Sequence, residues 1–230
     1  MILAGPCLFN SGDETIIYST AEKLKGVVDI FRCKVWGGGT RLDRYLPGIG
    51  QRGLDDLWRL PIKAMTEVMT PEHVSAAWKL RDIWIGARNS SNYSLIEFAA
   101  KQRSRLFIKR NPGATIEEMI NLCDIIKIKY DCEPWLIERG INTLDRDRGG
   151  RWAPDLKIAY VLKYERPDLF EHFVIDCSHS AGEKRYVKEV YKAFEAIRVQ
   201  HFMFEVLDGE SRTDKAHVLN IEEFLNVFKQ

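Results

Sequence analysis

Eight short apolar runs recur along this chain, and each ends in, or is soon followed by, side chains able to do chemistry. Cys7 follows the first run; Arg32 and Lys34 close the second; Thr66 and Glu67 lie in the third; Arg88 and Asn89 follow the fourth. Lys109 and Arg110 end the fifth, Glu138 and Arg139 the sixth, Asp176 and His179 the seventh, and Glu205 the eighth. This set sorts into two chemistries. Arg32, Arg88, Lys109 and Arg139 are cations on four different runs, with Lys34 and Arg110 beside them as further candidate substrate contacts. Convergent guanidinium and ammonium groups suit a phosphate plus a carboxylate, because guanidinium forks grip such groups with paired hydrogen bonds. Cys7, His179 and Glu205, with Asp214 further on, offer a thiolate, an imidazole and two carboxylates, a mixture that suits a divalent transition metal. These four are far apart in sequence and form no local metal motif. His179 taken alone reads equally well as a core or capping histidine.

The stretch FRCKVWGGGTRLDRY (31–45) runs from the second apolar segment into Gly37, Gly38, Gly39, Thr40 and Arg41. It reads as a phosphate-cradling loop, a turn, or a rewritten catalytic motif. A Walker-type loop is disfavoured, since no Gly-Lys-Ser/Thr follows, and AGPCLFNSG after the first run is not the GxGxxG of dinucleotide-binding folds.

Such residues need a frame that brings them together. The apolar runs are residues 1–5, 27–33, 62–68, 82–87, 105–109, 134–138, 172–176 and 201–206, and helix-like stretches separate them. GDETIIYSTAEKLK has an acidic start and a lysine-rich end, which complements the helix dipole. Thr70 before Pro71 predicts an N-cap with proline at the first helical position. Thr115 with Glu118 forms a capping-box pattern. APDLKIAYVLKY, KRYVKEVYKAFEAI and NIEEFLNVF continue the series. Strands alternating with helices predict a parallel sheet, and the nearly continuous apolar strands fit burial on both faces. Eight units in this length predict an α/β fold closed as a single (β/α)8 TIM barrel over 1–230, with an open doubly wound sheet as the alternative. In a barrel the carboxyl ends of the strands meet on one face, where active sites are built.

Composition narrows the partners. Net charge is +1, so no global field recruits nucleic acid or a membrane surface. No apolar run is long enough to cross a bilayer, and the N-terminus lacks the pattern of a signal peptide, so a cytoplasmic protein is expected. Five cysteines at irregular spacing are not a disulfide framework. The six tryptophans are scattered and read mostly as core or packing residues. LDRDRGGRW (144–152) reads either as a loop over the site or as a solvated loop, and KRYVKEVYK as the exposed face of a helix.

In order along the chain, AGPC (4–7), TEVMTP (66–71), IGARN (85–89), KRNPGATIEEM (109–119), ERGINT (138–143), DCSHSAG (176–182), FEV (204–206) and TDKAHVL (213–219) resemble the metal-dependent 3-deoxy-D-arabino-heptulosonate 7-phosphate (DAHP) synthases. The octulosonate 8-phosphate synthases form the neighbouring branch, and TEVMTP, GARN and ERGINT lean toward DAHP synthase. The resemblance implies a (β/α)8 barrel enzyme of aromatic amino acid biosynthesis, in the shikimate pathway. Its reaction condenses phosphoenolpyruvate with a phosphorylated aldose, erythrose 4-phosphate favoured, and releases phosphate. It also implies metal ligands Cys7, His179, Glu205 and Asp214 for Mn, Zn, Fe or Co, and phosphoenolpyruvate contacts from Arg32, Arg88, Lys109 and Arg139. Glu67 and Asp176 become candidates for proton transfer or acceptor positioning. Family members are commonly homo-oligomeric, often tetramers. The chain starts at its first barrel strand, so no added regulatory domain, and no feedback inhibition through one, is expected.

One motif departs from the family. Where DAHP synthases carry Lys-Pro-Arg-Thr, this chain reads Gly37, Gly38, Gly39, Thr40. In a rewired site, Lys34 takes the place of the lost lysine and Arg41 that of the lost arginine, beside the retained Thr40. Alternatively the acceptor is another aldose, phosphorylated or not, or the barrel binds phosphorylated ligands without catalysis.

Overall fold

The computed structural model describes residues 1–37, 46–144, 152–210 and 216–229. Eight parallel strands close a barrel: β1 (Ile2–Gly5), β2 (Ile30–Arg32), β3 (Ala64–Val68), β4 (Asp82–Ile85), β5 (Arg105–Lys109), β6 (Glu133–Glu138), β9 (Phe173–Asp176) and β10 (His201–Glu205). All eight expected strands are present, and only β6, which starts at Glu133, reaches beyond the apolar run that marks it out. Closure is made by β1, which pairs with β2 through Leu3 and Ile30 and with β10 from Ile2↔Phe202 to Gly5↔Glu205. That double pairing excludes the open sheet. Two further strands, β7 (Ile141–Asn142) and β8 (Trp152–Ala153), form a separate antiparallel pair after β6, which the sequence pattern does not announce.

The helices are α1 (Glu14–Leu24), α2 (Gln51–Arg59), α3 (Pro71–Ala76), α4 (Tyr93–Ala100), α5 (Ile116–Tyr130), α6 (Leu156–Glu165), α7 (Pro167–Phe170), α8 (Cys177–Ala181), α9 (Val187–Ile197) and α10 (Ile221–Val227). Thr70 caps α3 by accepting from the His73 N–H, with Pro71 following it, and Thr115 and Glu118 make the reciprocal capping box of α5. Helices α2, α4, α7 and α8 are additional to those read from periodicity. Among the described residues no helix is long and apolar enough to cross a membrane.

Two apolar layers follow from the alternation of strand side chains. One set points outward to the helices, including Phe31, Ile83, Ile108, Leu136, Ile175 and Phe204. The other fills the barrel: Leu3, Ile30, Met65, Trp84, Phe107, Ile137, Val174 and Met203, with Trp135 one step below Ile137. Two residues further along each strand stand Gly5, Arg32, Glu67, Gly86, Lys109, Arg139, Asp176 and Glu205. The apolar plug is thus the floor on which a charged layer rests.

The capping box gives a stability prediction. Thr115→Ala is expected to cost about 1 kcal/mol and to lower the thermal midpoint by roughly 2–4 °C, read by circular dichroism melting.

Candidate active site at the carboxyl ends of the barrel strands

Asp176 ends β9 and begins α8, and its fully buried carboxylate is the centre of the charged layer. Oδ1 accepts from the His179 backbone N–H at 3.0 Å. Oδ2 accepts from Lys109 Nζ at 2.6 Å and lies 2.9 Å from His179 Nδ1. Burial opposes the charge on Asp176, but His179 and Lys109 outweigh it, and the carboxyl stays well below its usual range. Burial lowers the Lys109 pKa, Asp176 opposes that shift, and Arg32 and Arg139 lower it further. Burial likewise lowers the His179 pKa, so its ring is neutral near pH 7. A neutral ring facing an ionised carboxylate carries its proton on Nδ1, which leaves the Nε2 lone pair available as a ligand.

A second buried pair adjoins it. Arg32 Nη1 donates to Glu205 Oε1 at 3.0 Å and to the Pro6 carbonyl at 3.2 Å, and its guanidinium lies 5.0 Å from the centre of the Trp84 ring. Burial works against ionisation of Glu205, yet His179 and Arg32 bring its pKa down to about 2. Among the described residues nothing donates to Glu205 Oε2, although that oxygen is buried. Cys7 is buried close enough to Arg32 and Lys34 to help raise the pKa of both. Orphaned Oε2, the free Nε2 of His179 and the Cys7 thiol match the donor types that a divalent transition metal takes. Among the described residues no three His, Cys, Asp or Glu side chains gather around one ion position. Asp214, the fourth expected ligand, lies outside the described residues.

On the β2–β3 side, Lys34 Nζ lies 3.7 Å from Glu67 Oε2. Burial tends to lower the Lys34 pKa, but Glu67 and Cys7 hold it above its ordinary value. Glu67 is lowered, with burial opposed by Lys34, Lys109 and Arg88. Gly86 makes room for this carboxylate: a Cβ there would stand 1.8 Å from Glu67 Oε1. Gly37 has a similar reason to be glycine. Its N–H donates to the Pro47 carbonyl at 2.7 Å, and a Cβ would meet the Leu46 carbonyl oxygen at 1.7 Å. The first of the three glycines therefore packs directly against the backbone at Leu46 and Pro47. Gly38, Gly39, Thr40 and Arg41 lie outside the described residues.

The remaining expected residues divide. Arg88 is exposed, near enough to bear on Lys34 and Glu67. Arg139 affects Lys109 and His179, and its guanidinium lies 4.4 Å from the Trp152 ring centre. Arg110, expected among the substrate contacts, is elsewhere. Its Nη1 donates to Glu138 Oε2 at 2.8 Å and to Asp155 Oδ2 at 2.7 Å, while Nε and Nη2 donate to the Ala114 carbonyl. Lys109 and Arg110 are adjacent on one strand edge and cannot both face the barrel interior. Sequence reasoning missed Gly86, Asp155 and Trp152 as parts of the site. Only Asp155 had a local signal, an aspartate at the start of a helix-like run.

Fold and site together define a parallel (β/α)8 barrel with a buried, charged centre at the carboxyl ends of its strands. The DAHP synthetase I family model matches residues 1–223, and the chain belongs to that family. It is 27% identical over 214 residues to the phospho-2-dehydro-3-deoxyheptonate aldolase of Thermotoga maritima, an alignment covering 89% of this chain and 60% of that protein. The crystal structure of phospho-2-dehydro-3-deoxyheptonate aldolase (DAHP synthase) from Thermotoga maritima superposes with a TM-score of 0.86 at 24% identity, covering 99% of this chain and 66% of that one. A truncated form of 3-deoxy-D-arabino-heptulosonate 7-phosphate synthase from the same organism gives 0.82 at 24% identity, covering 99% and 83%.

The electrostatics set an acid limit. Glu205 ionises near 2 when folded instead of at its ordinary 4.5, so its contribution is complete above about pH 4.5 and is lost as pH falls toward 2. Urea titrations across that window are expected to show falling stability. Glu205→Gln is expected to be less stable at pH 7, with Arg32 left buried beside a neutral partner, and to have a flatter acid limb.

Proposed function

We propose that this barrel condenses phosphoenolpyruvate with an aldose, erythrose 4-phosphate favoured, giving a 3-deoxy-2-ulosonate phosphate and inorganic phosphate. The observation that carries this reading is the single buried cluster of Arg32, Lys109, Asp176, His179 and Glu205 at the strand ends of a chain of this family. Arg32, Lys109, Arg139 and Arg88 bind the phosphate and carboxylate of phosphoenolpyruvate, and orientation supplies much of the rate. C3 of phosphoenolpyruvate attacks the aldehyde carbon, water adds at C2, and phosphate leaves from the resulting carbon; the cations stabilise the charge that develops. Lys34 takes the position of the family's missing lysine, and its contact with Glu67 supports that role. Thr40 and Arg41 receive the acceptor's phosphate, and Glu67 faces the acceptor. Asp176 is paired with the Lys109 ammonium and hydrogen-bonded to the His179 ring, so it orients both rather than taking a proton.

Cys7, His179, Glu205 and Asp214 would hold a divalent metal. The orphaned Glu205 Oε2 and the Asp176-held His179 ring support this assignment. Such an ion supplies Lewis acidity toward a carbonyl oxygen.

Phosphate release from phosphoenolpyruvate, measured with manganese, with and without chelator, tests the reading. Erythrose 4-phosphate, ribose 5-phosphate, arabinose 5-phosphate and unphosphorylated aldoses form the acceptor panel. Turnover with erythrose 4-phosphate is expected; turnover only with another sugar would make the glycine stretch a mark of changed specificity. Silence with every sugar would sink catalysis and leave a ligand-binding barrel. Cys7→Ala is expected to lose both bound metal, read by elemental analysis, and turnover. Lys34→Ala is expected to raise the KM for phosphoenolpyruvate, and unchanged kinetics would return Lys34 to a structural role.

A further inference from the structure

Arg139 stands on a turn that is fastened from both sides. Its predecessor Glu138 is fully buried on the outer side of β6 and takes part in no contact with the charged layer given above. Glu138 Oε2 accepts from Arg110 at 2.8 Å, and its Oε1 accepts from the N–H of Gly140. The same carboxylate therefore grips the residue after Arg139 and is itself tied to Arg110, the residue that follows β5. Asp155 completes the strap, with Oδ2 on Arg110 at 2.7 Å and Oδ1 accepting from the Lys157 N–H at the start of α6. On the other side, the guanidinium of Arg139 lies 4.4 Å from the ring centre of Trp152, which is anchored by pairing with Asn142 in the β7–β8 ribbon.

These fastenings have a physical task. Arg139 shares its neighbourhood with Lys109, itself close to Arg32. Like charges repel, so a long cationic side chain among them keeps one position only where other contacts fix it. Buried ion pairs are a poor source of net stability, and their better-attested use is to specify geometry. A guanidinium held over an indole face is likewise restricted in position.

We propose that Arg110, Glu138, Asp155 and Trp152 are positioning residues that hold Arg139 ready for the anion of the substrate, the strap setting its backbone and Trp152 the place of its guanidinium. The proposal rests on the reading of Arg139 as a phosphoenolpyruvate contact. It gives Arg110 a role without substrate contact, in place of the direct contact expected from sequence.

Two readouts separate this proposal from the reading beneath it. The first needs no ligand: the Arg139 Nε–H resonance in 1H–15N spectra, assigned by its loss in Arg139→Lys. Trp152 is only partly buried, so Trp152→Leu spares the core; that variant is expected to move the resonance by removing the ring current, and Glu138→Gln to shift or broaden it. The second is phosphoenolpyruvate affinity by calorimetry. Trp152→Leu is expected to weaken binding about tenfold, with Trp152→Phe restoring most of it. In an Arg139→Ala background, Trp152→Leu is expected to cost nothing further. An unmoved resonance in both variants, or an equal loss of affinity in the Arg139→Ala background, overturns the proposal. If the wild-type chain binds no phosphoenolpyruvate, the functional reading fails, and the resonance alone decides whether Arg139 is positioned as proposed.

Discussion

The charged end of this barrel depends on one carboxylate. Asp176 is wholly removed from water and accepts three hydrogen bonds, from a backbone N–H, an ammonium and an imidazole. A buried charge survives only when it is paired and its lone pairs are satisfied. Here the satisfaction is reciprocal: without Asp176, Lys109 would be a buried cation among Arg32 and Arg139, and the His179 ring would lose the partner that orients it. The same side chain caps α8, so the helix that carries His179 starts where the charge cluster requires it.

From that point the architecture follows from strand periodicity. A period of two places each charged residue directly above an apolar one that fills the barrel, as Lys109 stands above Phe107 and Glu205 above Met203. The apolar layer keeps water from reaching the charges from below, which strengthens their mutual attraction. The same period sends the adjacent residue to the opposite face. Lys109 and Arg139 join the cluster, while Arg110 and Glu138 build an ion network behind the sheet. Glycines then supply space where two groups need the same volume, Gly86 for the Glu67 carboxylate and Gly37 for the backbone at Leu46 and Pro47.

Local chemistry made much of this legible. Thr70 with Pro71 and Thr115 with Glu118 act within one helical turn, and both caps form as their spacing predicts. Helix α8 was hidden because five residues show no periodicity, and its cap is a residue that the cluster also uses. Helix α4 follows the polar stretch 89–92 and is only eight residues long, although Asn92, which caps it, carries a recognisable signal. The β7–β8 ribbon pairs two residues with two across a connection of nine, too short a pattern for alternation to register.

By itself the sequence determined the eight strands, most of the helices, the closed barrel and the set of charged residues at its carboxyl end. Those follow from apolar periodicity and chain connectivity, which are local or nearly so. Only the tertiary structure decided which charges meet. That Asp176 bonds Lys109, that Arg32 bonds Glu205 across β2 and β10, and that Arg110 turns away toward Glu138 and Asp155 are contacts between residues 28 to 173 positions apart. Their geometry depends on barrel closure and on the side of the sheet to which each residue falls, and no short stretch of sequence encodes either.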